Sequence, residues 1–444
     1  MPDPARPSIP RRRWTIARYR ALLRTRGPRS VRFRTRVAVL TGAIAVGLVA
    51  ILFANAADAA AALFGGYARR WHWLPLLTTP IGFMALVWLT RRFAPLARGS
   101  GIPQVIAARE DPVAATRSLI SIRTVAAKAA LTIGAVLNGA SVGREGPTVQ
   151  LAAAVMGLSH RVMRVPLRAP VVIAGGAAGV AAAFNTPLAG LLFAIEELAS
   201  AYEQRVTLLV LSAIVIAGMV AQSIESDYVY FGIIGALMPI LTALAVVPVA
   251  GVAGGMAGGL FARLVLTMAT GTHRLAGWSK RRPIAFAGVC GIVVALLGVS
   301  TGLTWGTGYS AARAMIVGVD APLWFGPAKF VAALATAIAG LPGGIFAPSL
   351  AVGAGLGNLL RGMFPDGPAS AIVILGMVGY FAGVVRAPLT AVIILSETTA
   401  SRGLMLPMFA TAFIADAASQ WVSKEKLYHG LSATFASPPR RTAA

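Results

Sequence analysis

Two segments of the chain recur at one fixed spacing, and this repeat limits the possible folds more than any other feature. Gly143-Arg144-Glu145-Gly146-Pro147-Thr148 stands 201 positions before Gly344-Ile345-Phe346-Ala347-Pro348-Ser349. The run from Asn185-Thr186-Pro187 to Glu196 stands 201 positions before the run from Arg386-Ala387-Pro388 to Glu397, and Gly175 and Gly376 keep the same spacing. No gap is needed between the paired motifs, so the chain is read as two related halves, residues 35–225 and 234–425. In each half glycines precede a proline near a helix start, and a second proline opens a later helix that ends in acid. Proline suits the first turn of a helix, where its missing N–H would have no partner.

The surroundings of these motifs decide the medium. Hydrophobic residues make up 57% of the 444 and charged residues 12%, too apolar a balance for a dispersed soluble domain of this size. Runs near the length of a membrane span recur: Val37–Ala54, Pro75–Thr90, Thr207–Ala221, Ile234–Met256, Ile284–Val299 and Phe330–Leu341 with their flanks. Between them lie apolar segments too short, or too interrupted by Gly and Pro, for a simple span. Such backbone is tolerated at membrane depth only when buried in protein or lining a polar path. The expected fold class is therefore all-α and integral to the membrane, with 35–436 as the membrane domain. A helix that begins mid-membrane after glycines is a broken helix, and paired broken helices mark the substrate site of many transporters.

The formal charge of +25 raises nucleic acid as a partner, but its placement argues against that. Twelve arginines from Arg6 to Arg36 precede the first apolar run, against the single acid Asp3. This is a positive-inside signal that places residues 1–34 in the cytoplasm, within reach of anionic lipid headgroups. Arg91, Arg92, Arg98, Lys280, Arg281, Arg282, Lys424 and Lys426 fit further cytoplasmic turns, and 437–444 reads as a short cytoplasmic tail. A cleaved signal peptide is not expected, because the basic region is too long and the first apolar run is of span length. The expected location is the inner (plasma) membrane. The lone Cys290 excludes an internal disulfide and is read as filling space.

The sign of the substrate follows from the helix starts. A helix N-terminus carries partial positive charge and free N–H groups, which suit an anion. A full positive charge in low dielectric would hold a small anion too tightly for turnover, and no Lys or Arg cluster marks the apolar core. Glu145 stands in a Gly-rich turn at such a start, so its carboxylate and an anion would compete for one place. That competition couples protonation to anion binding. The plainer alternative for Glu145 is a helix cap paired with Arg144. Glu196 and Glu197 end a long apolar helix, and an intramembrane acid is a functional candidate. Glu196 aligns with Glu397, whereas Glu197 aligns with Thr398 and breaks the symmetry, which suits a one-sided role.

At these residues the sequence resembles the ClC family of chloride channels and chloride/proton antiporters. Gly99-Ser100-Gly101-Ile102-Pro103, Gly143-Arg144-Glu145-Gly146-Pro147 and Gly344-Ile345-Phe346-Ala347-Pro348 match the family's three pore motifs in order, and Tyr428 matches its pore tyrosine. The resemblance implies an inverted repeat of tilted and partly spanning helices, assembled as a homodimer with one ion path per subunit. It implies that Ser100 and Tyr428 offer hydroxyls to a central chloride, completed by Gly146 and by the backbone N–H groups of Ile345 and Phe346. It also implies that Glu145 is the gating glutamate and Glu197 the internal proton glutamate of the antiporters. Arg144, Pro103, Pro147 and Pro348 would support the turns. Lys128 matches a lysine of bacterial members, whose usual acidic partner is absent here, since Gln104, Val105 and Ile106 follow the first motif. Glu197 or Glu110 could substitute, or Lys128 could reach the interface. Serine at position 100 favours chloride over nitrate. The chain ends soon after Tyr428, so the paired nucleotide-binding domains of many eukaryotic members are not expected. Chloride and protons are the implied partners, with no cofactor and no metal.

Three functions compete on this footing. A proton-coupled chloride antiporter is preferred. A passive voltage- or pH-gated chloride channel on the same scaffold is the alternative, and Glu197 separates the two. An intramembrane enzyme is disfavoured, because His72, His160, His273 and His429 are scattered and no hydrolase or zinc-protease motif accompanies them.

Overall fold

The computed structural model describes residues 28–199, 208–225 and 229–435. Its longer helices fall into two series. The first comprises α1 (Pro28–Arg70), α2 (Pro75–Phe93), α3 (Ile102–Ala108), α4 (Ile122–Leu137), α5 (Glu145–Val162), α6 (Ala169–Phe184), α7 (Pro187–Phe193) and α8 (Leu208–Glu225). The second comprises α9 (Ile240–Thr270), α10 (Pro283–Thr301), α11 (Tyr309–Ile316), α12 (Phe325–Ala339), α13 (Phe346–Arg361), α14 (Ala369–Val385), α15 (Pro388–Thr399) and α16 (Met405–Val422). The short α17 (Leu427–Ser432) follows without a counterpart. The helices pair in order, so the repeat is longer than the motifs that first reveal it.

Local chemistry explains the boundaries. Proline opens α2, α7, α10 and α15. At the ends of α6 and α14 the paired residues Asn185 and Arg386 both adopt left-handed backbone at φ 59°, and each stops its helix two residues before a proline. One expected boundary fails. The run Ile234–Met256 begins as extended chain, and α9 starts only after Pro239. The preceding segment is held instead by Phe231 and Ile234, whose N–H groups donate to the carbonyls of Thr398 (2.8 Å) and Thr399 (2.9 Å).

Among the described residues, three helices are long and apolar enough to cross a membrane: α1, α9 and α10. Several others are shorter and are largely covered by protein. Every residue of α14 from Ala371 to Val385 is buried, as is nearly all of α6. A helix apolar on every side belongs in a core. In lipid, packing rather than hydrophobic drive joins helices, and small residues allow backbones to approach. At the crossing of α9 and α14 a Cβ on Gly254 would lie 2.5 Å from the Gly379 carbonyl carbon, and one on Gly258 would lie 2.6 Å from Tyr380 O.

The basic N-terminal segment is only partly visible: residues 1–27 lie outside the described residues, as do 436–444 at the other end. Arg34 does not face headgroups. It is buried, and its guanidinium donates to the carbonyls of Met163 and Arg164 (2.8 Å to the latter), closing the C-terminal end of α5.

Candidate anion and proton site

The three glycine-rich turns of the sequence motifs meet at one place. Gly143 and Gly344 exchange both backbone hydrogen bonds, each 2.7 Å, in an antiparallel bridge. These two glycines are equivalents in the repeat, so a reciprocal bond between them sets a local two-fold between the halves, as an inverted repeat requires. Gly99 joins the pair: its N–H donates to Leu341 O (3.2 Å) and its carbonyl accepts from Gly343 N–H (3.1 Å). The starts of α5 and α13 therefore converge, and their N-terminal partial charges add.

Glu145 and Phe346 occupy equivalent positions at these two starts, and both are buried. The Glu145 carboxylate folds back over its own turn, toward the backbone N–H of Ala347 on α13. Glycine at 143 makes room for it, since a Cβ there would meet Glu145 Oε2 at 2.1 Å. Arg144 does not cap this glutamate. Its guanidinium pairs with Asp58 (2.5 Å) and donates to Ala54 O (2.8 Å), both on α1. Arg144 thus bonds to α1, while its charge still reaches Glu145. Phe346 is the immobile counterpart, its ring enclosed by Phe184, Phe193, Phe381 and Tyr428 with centroids 4.9–6.2 Å away.

Ser100 lies directly on the first turn of α5. A Cβ at Gly146 would fall 2.4 Å from Ser100 Oγ, and one at Gly101 would fall 2.5 Å from Gly146 O. Pro103, Pro147 and Pro348 sit in the first turns of α3, α5 and α13. The Ser100 and Tyr428 hydroxyls approach one another, yet both are buried without a hydrogen bond among the described residues. Two buried hydroxyls beside two converging helix starts are a donor set of the kind that can receive an anion. A cavity of about 460 Å³ leads from Ser100 and Ile345 outward, and its wall carries Arg91, Arg98 and Lys280 but no acid. These cations, first read only as topology signals, line an approach that favours anions.

The two neighbouring glutamates part company. Glu196 accepts from the N–H groups of Leu389 (3.0 Å) and Thr390 (2.6 Å) at the start of α15. Glu397 accepts from those of Leu188 (3.3 Å) and Ala189 (2.9 Å) at the start of α7. The equivalents thus cap one another's half. Glu197 lies in a π-helical turn, Ala194–Leu198, that ends α7. It is fully buried, and neither oxygen makes a hydrogen bond. Its neighbour is His429, with Nδ1 3.3 Å from Oε1. The histidines therefore are not all remote from the candidate acids.

Lys128 needs no acidic partner. Buried in α4, its ammonium donates to the carbonyls of Ala97 (2.8 Å), Arg98 (3.3 Å) and Gly99 (2.6 Å). Gln104 adds a bond to Arg98 O (2.7 Å). Lys329, which the sequence reading missed, stands 201 positions later and repeats the device on Thr304, Trp305 and Gly306. Each lysine anchors the chain before a Gly-Xxx-Gly helix start, Ser100 in one half and Thr307 in the other. Lys128→Met and Lys329→Met are each expected to lower stability by about 2 kcal/mol, because each orphans buried carbonyls. Thermal unfolding in detergent measures this; an unchanged midpoint would mean that the ammonium is not the anchor.

Comparison with known proteins agrees with this geometry. The sequence pattern of the voltage gated chloride channel family matches residues 81–420. A slow cyanobacterial Cl⁻/H⁺ antiporter aligns over 93% of this chain and 99% of its own, at 22% identity and a TM-score of 0.78. A CLC-type fluoride/proton antiporter aligns over 95% and 99%, at 22% identity and 0.75. A eukaryotic CLC transporter aligns over 90% of this chain and 74% of its own, at 21% identity and 0.73. Likeness at such identities is likeness of fold, whereas the family pattern spans most of the membrane domain. Paired broken helices, tied glycine turns and the matched motifs together place the chain among multi-pass membrane transport proteins, as a member of the voltage gated chloride channel (CLC) family.

Proposed function

We propose that this protein exchanges chloride for protons across the plasma membrane, as a homodimer with one ion path per subunit and cytoplasmic termini. The observation that carries the proposal is the Glu145 carboxylate, lodged where the starts of α5 and α13 converge. Chloride enters through the cavity walled by Arg91, Arg98 and Lys280. It is received by the Ser100 and Tyr428 hydroxyls and the N–H groups of Ile345 and Phe346. When ionised, Glu145 holds the next anion position itself. Chloride displaces it, and the freed carboxylate takes a proton. Glu197 supplies or collects that proton from the opposite direction. Tyr428 lies within electrostatic reach of both acids, and the chloride and proton routes divide near this residue. The antiporter named among the similar structures supports the exchanger over a passive channel.

The test is flux in liposomes. Purified protein is given a chloride gradient while internal pH is followed, and an exchanger moves protons against their gradient. Chloride movement with no pH response would replace the exchanger by a channel.

A further inference from the structure

We propose that His429 is the residue that loads protons onto Glu197 from water. The proposal presupposes the exchanger function argued above. Glu197 is fully buried, and His429 is its only charge-bearing neighbour within ion-pair distance among the described residues. The imidazole bridges two environments. Its Nδ1 is buried and lies 3.3 Å from Glu197 Oε1, while the side chain as a whole is 34% exposed. Neither atom of that pair is claimed by a hydrogen bond, so the contact is free to make and break. Glu196, by contrast, is fully engaged with α15 and offers no route.

The surroundings leave this assignment to His429. Helix α17 packs on α3, α9 and α14. Helix α3 carries no titratable group, α9 carries only the exposed Arg263, and α14 carries only the buried Tyr380. On its own segment Tyr428 points to the anion site, the Glu425 carboxylate lies beside Gly430, and Lys424 and Lys426 form no ion pair with Glu197 among the described residues. Arg109 is directed to Leu198 O at 2.5 Å. None of these joins Glu197 to water.

The transfer is a simple relay. The imidazole takes a proton from solvent, and the imidazolium gives its Nδ1 proton to Glu197 Oε1. That leaves a neutral imidazole, protonated on Nε2, and a neutral carboxylic acid. Rotation of the ring returns the bare nitrogen to water for the next proton. Histidine suits the task because either ring nitrogen can carry the proton.

The experiment compares wild type with His429→Gln and His429→Asn in liposomes, following chloride and protons separately. The expected result is that both variants carry chloride while chloride-driven proton flux falls about tenfold or more, in keeping with the worth of a positioned proton-transfer group. Added free imidazole restores part of the flux. Wild-type pumping with unaltered pumping in both variants would overturn the role of His429 alone. Loss of both fluxes without imidazole rescue would make His429 structural and equally overturn it. Absence of pumping in wild type would instead remove the exchanger function, and this proposal with it.

Discussion

Glu145→Ala is expected to carry chloride while chloride-driven proton pumping falls at least about a hundredfold, the loss that follows removal of a proton-transfer group. In the proposed function the anion position does not depend on this side chain. It is assigned to the starts of α5 and α13, to Ser100 and to Tyr428, and all of these remain. The glycine bridge between Gly143 and Gly344 and the Arg144 pair with Asp58 are independent of residue 145, so the turn keeps its shape. Alanine leaves at 145 the room the carboxylate filled beside Gly143, and an anion can remain there without competition. Flux of labelled chloride and a pH-sensitive dye read the two outcomes separately. Retained coupling would mean that Glu145 is not the gate, and loss of chloride flux would mean that its carboxylate shapes the path.

Much of this site was legible in the sequence, because the chemistry that builds it is local. Proline and glycine announce the broken helices, and the spacing of 201 aligns Glu145 with Phe346, which the structure places at paired helix starts. The same spacing makes Glu196 the equivalent of Glu397, and their reciprocal caps are its physical meaning. Lys329 was equally available, one repeat after Lys128, but a lysine bound only to carbonyls has no partner to search for in a sequence. The second Gly-Xxx-Gly turn, at Thr307, was hidden for another reason. It stands 207 rather than 201 positions after its equivalent Ser100, because the connection into α12 is shorter than that into α4. His429 could not be reached by pattern at all. It meets Glu197 only because α17 returns across α3, and a tertiary contact of that kind leaves no periodicity behind. The start of α9 was misplaced because an apolar run alone does not tell helix from a non-helical segment, and Pro239 is what delays the helix here.

Glu197→Gln is expected to abolish proton transport while chloride continues to pass, and the contrast with Glu196→Gln makes the result specific. Glutamine at 197 keeps the volume of a fully buried side chain and removes only its capacity to carry a proton. It breaks no hydrogen bond of the Glu197 oxygens and alters only the contact with His429, so little stability is at stake. Glutamine at 196 does the reverse. It weakens bonds that a carboxylate accepts from Leu389, Thr390 N–H and Thr390 Oγ, each worth about 1.5–3 kcal/mol when the acceptor is charged. It leaves the proton route untouched. Glu196→Gln should therefore unfold at lower temperature yet pump protons at the wild-type ratio, whereas Glu197→Gln should keep its stability and lose the pump. If the two variants exchange these phenotypes, the proton crosses at Glu196. The π-helical turn would then serve only to set Glu197 out of the way, and the link from His429 would lead nowhere.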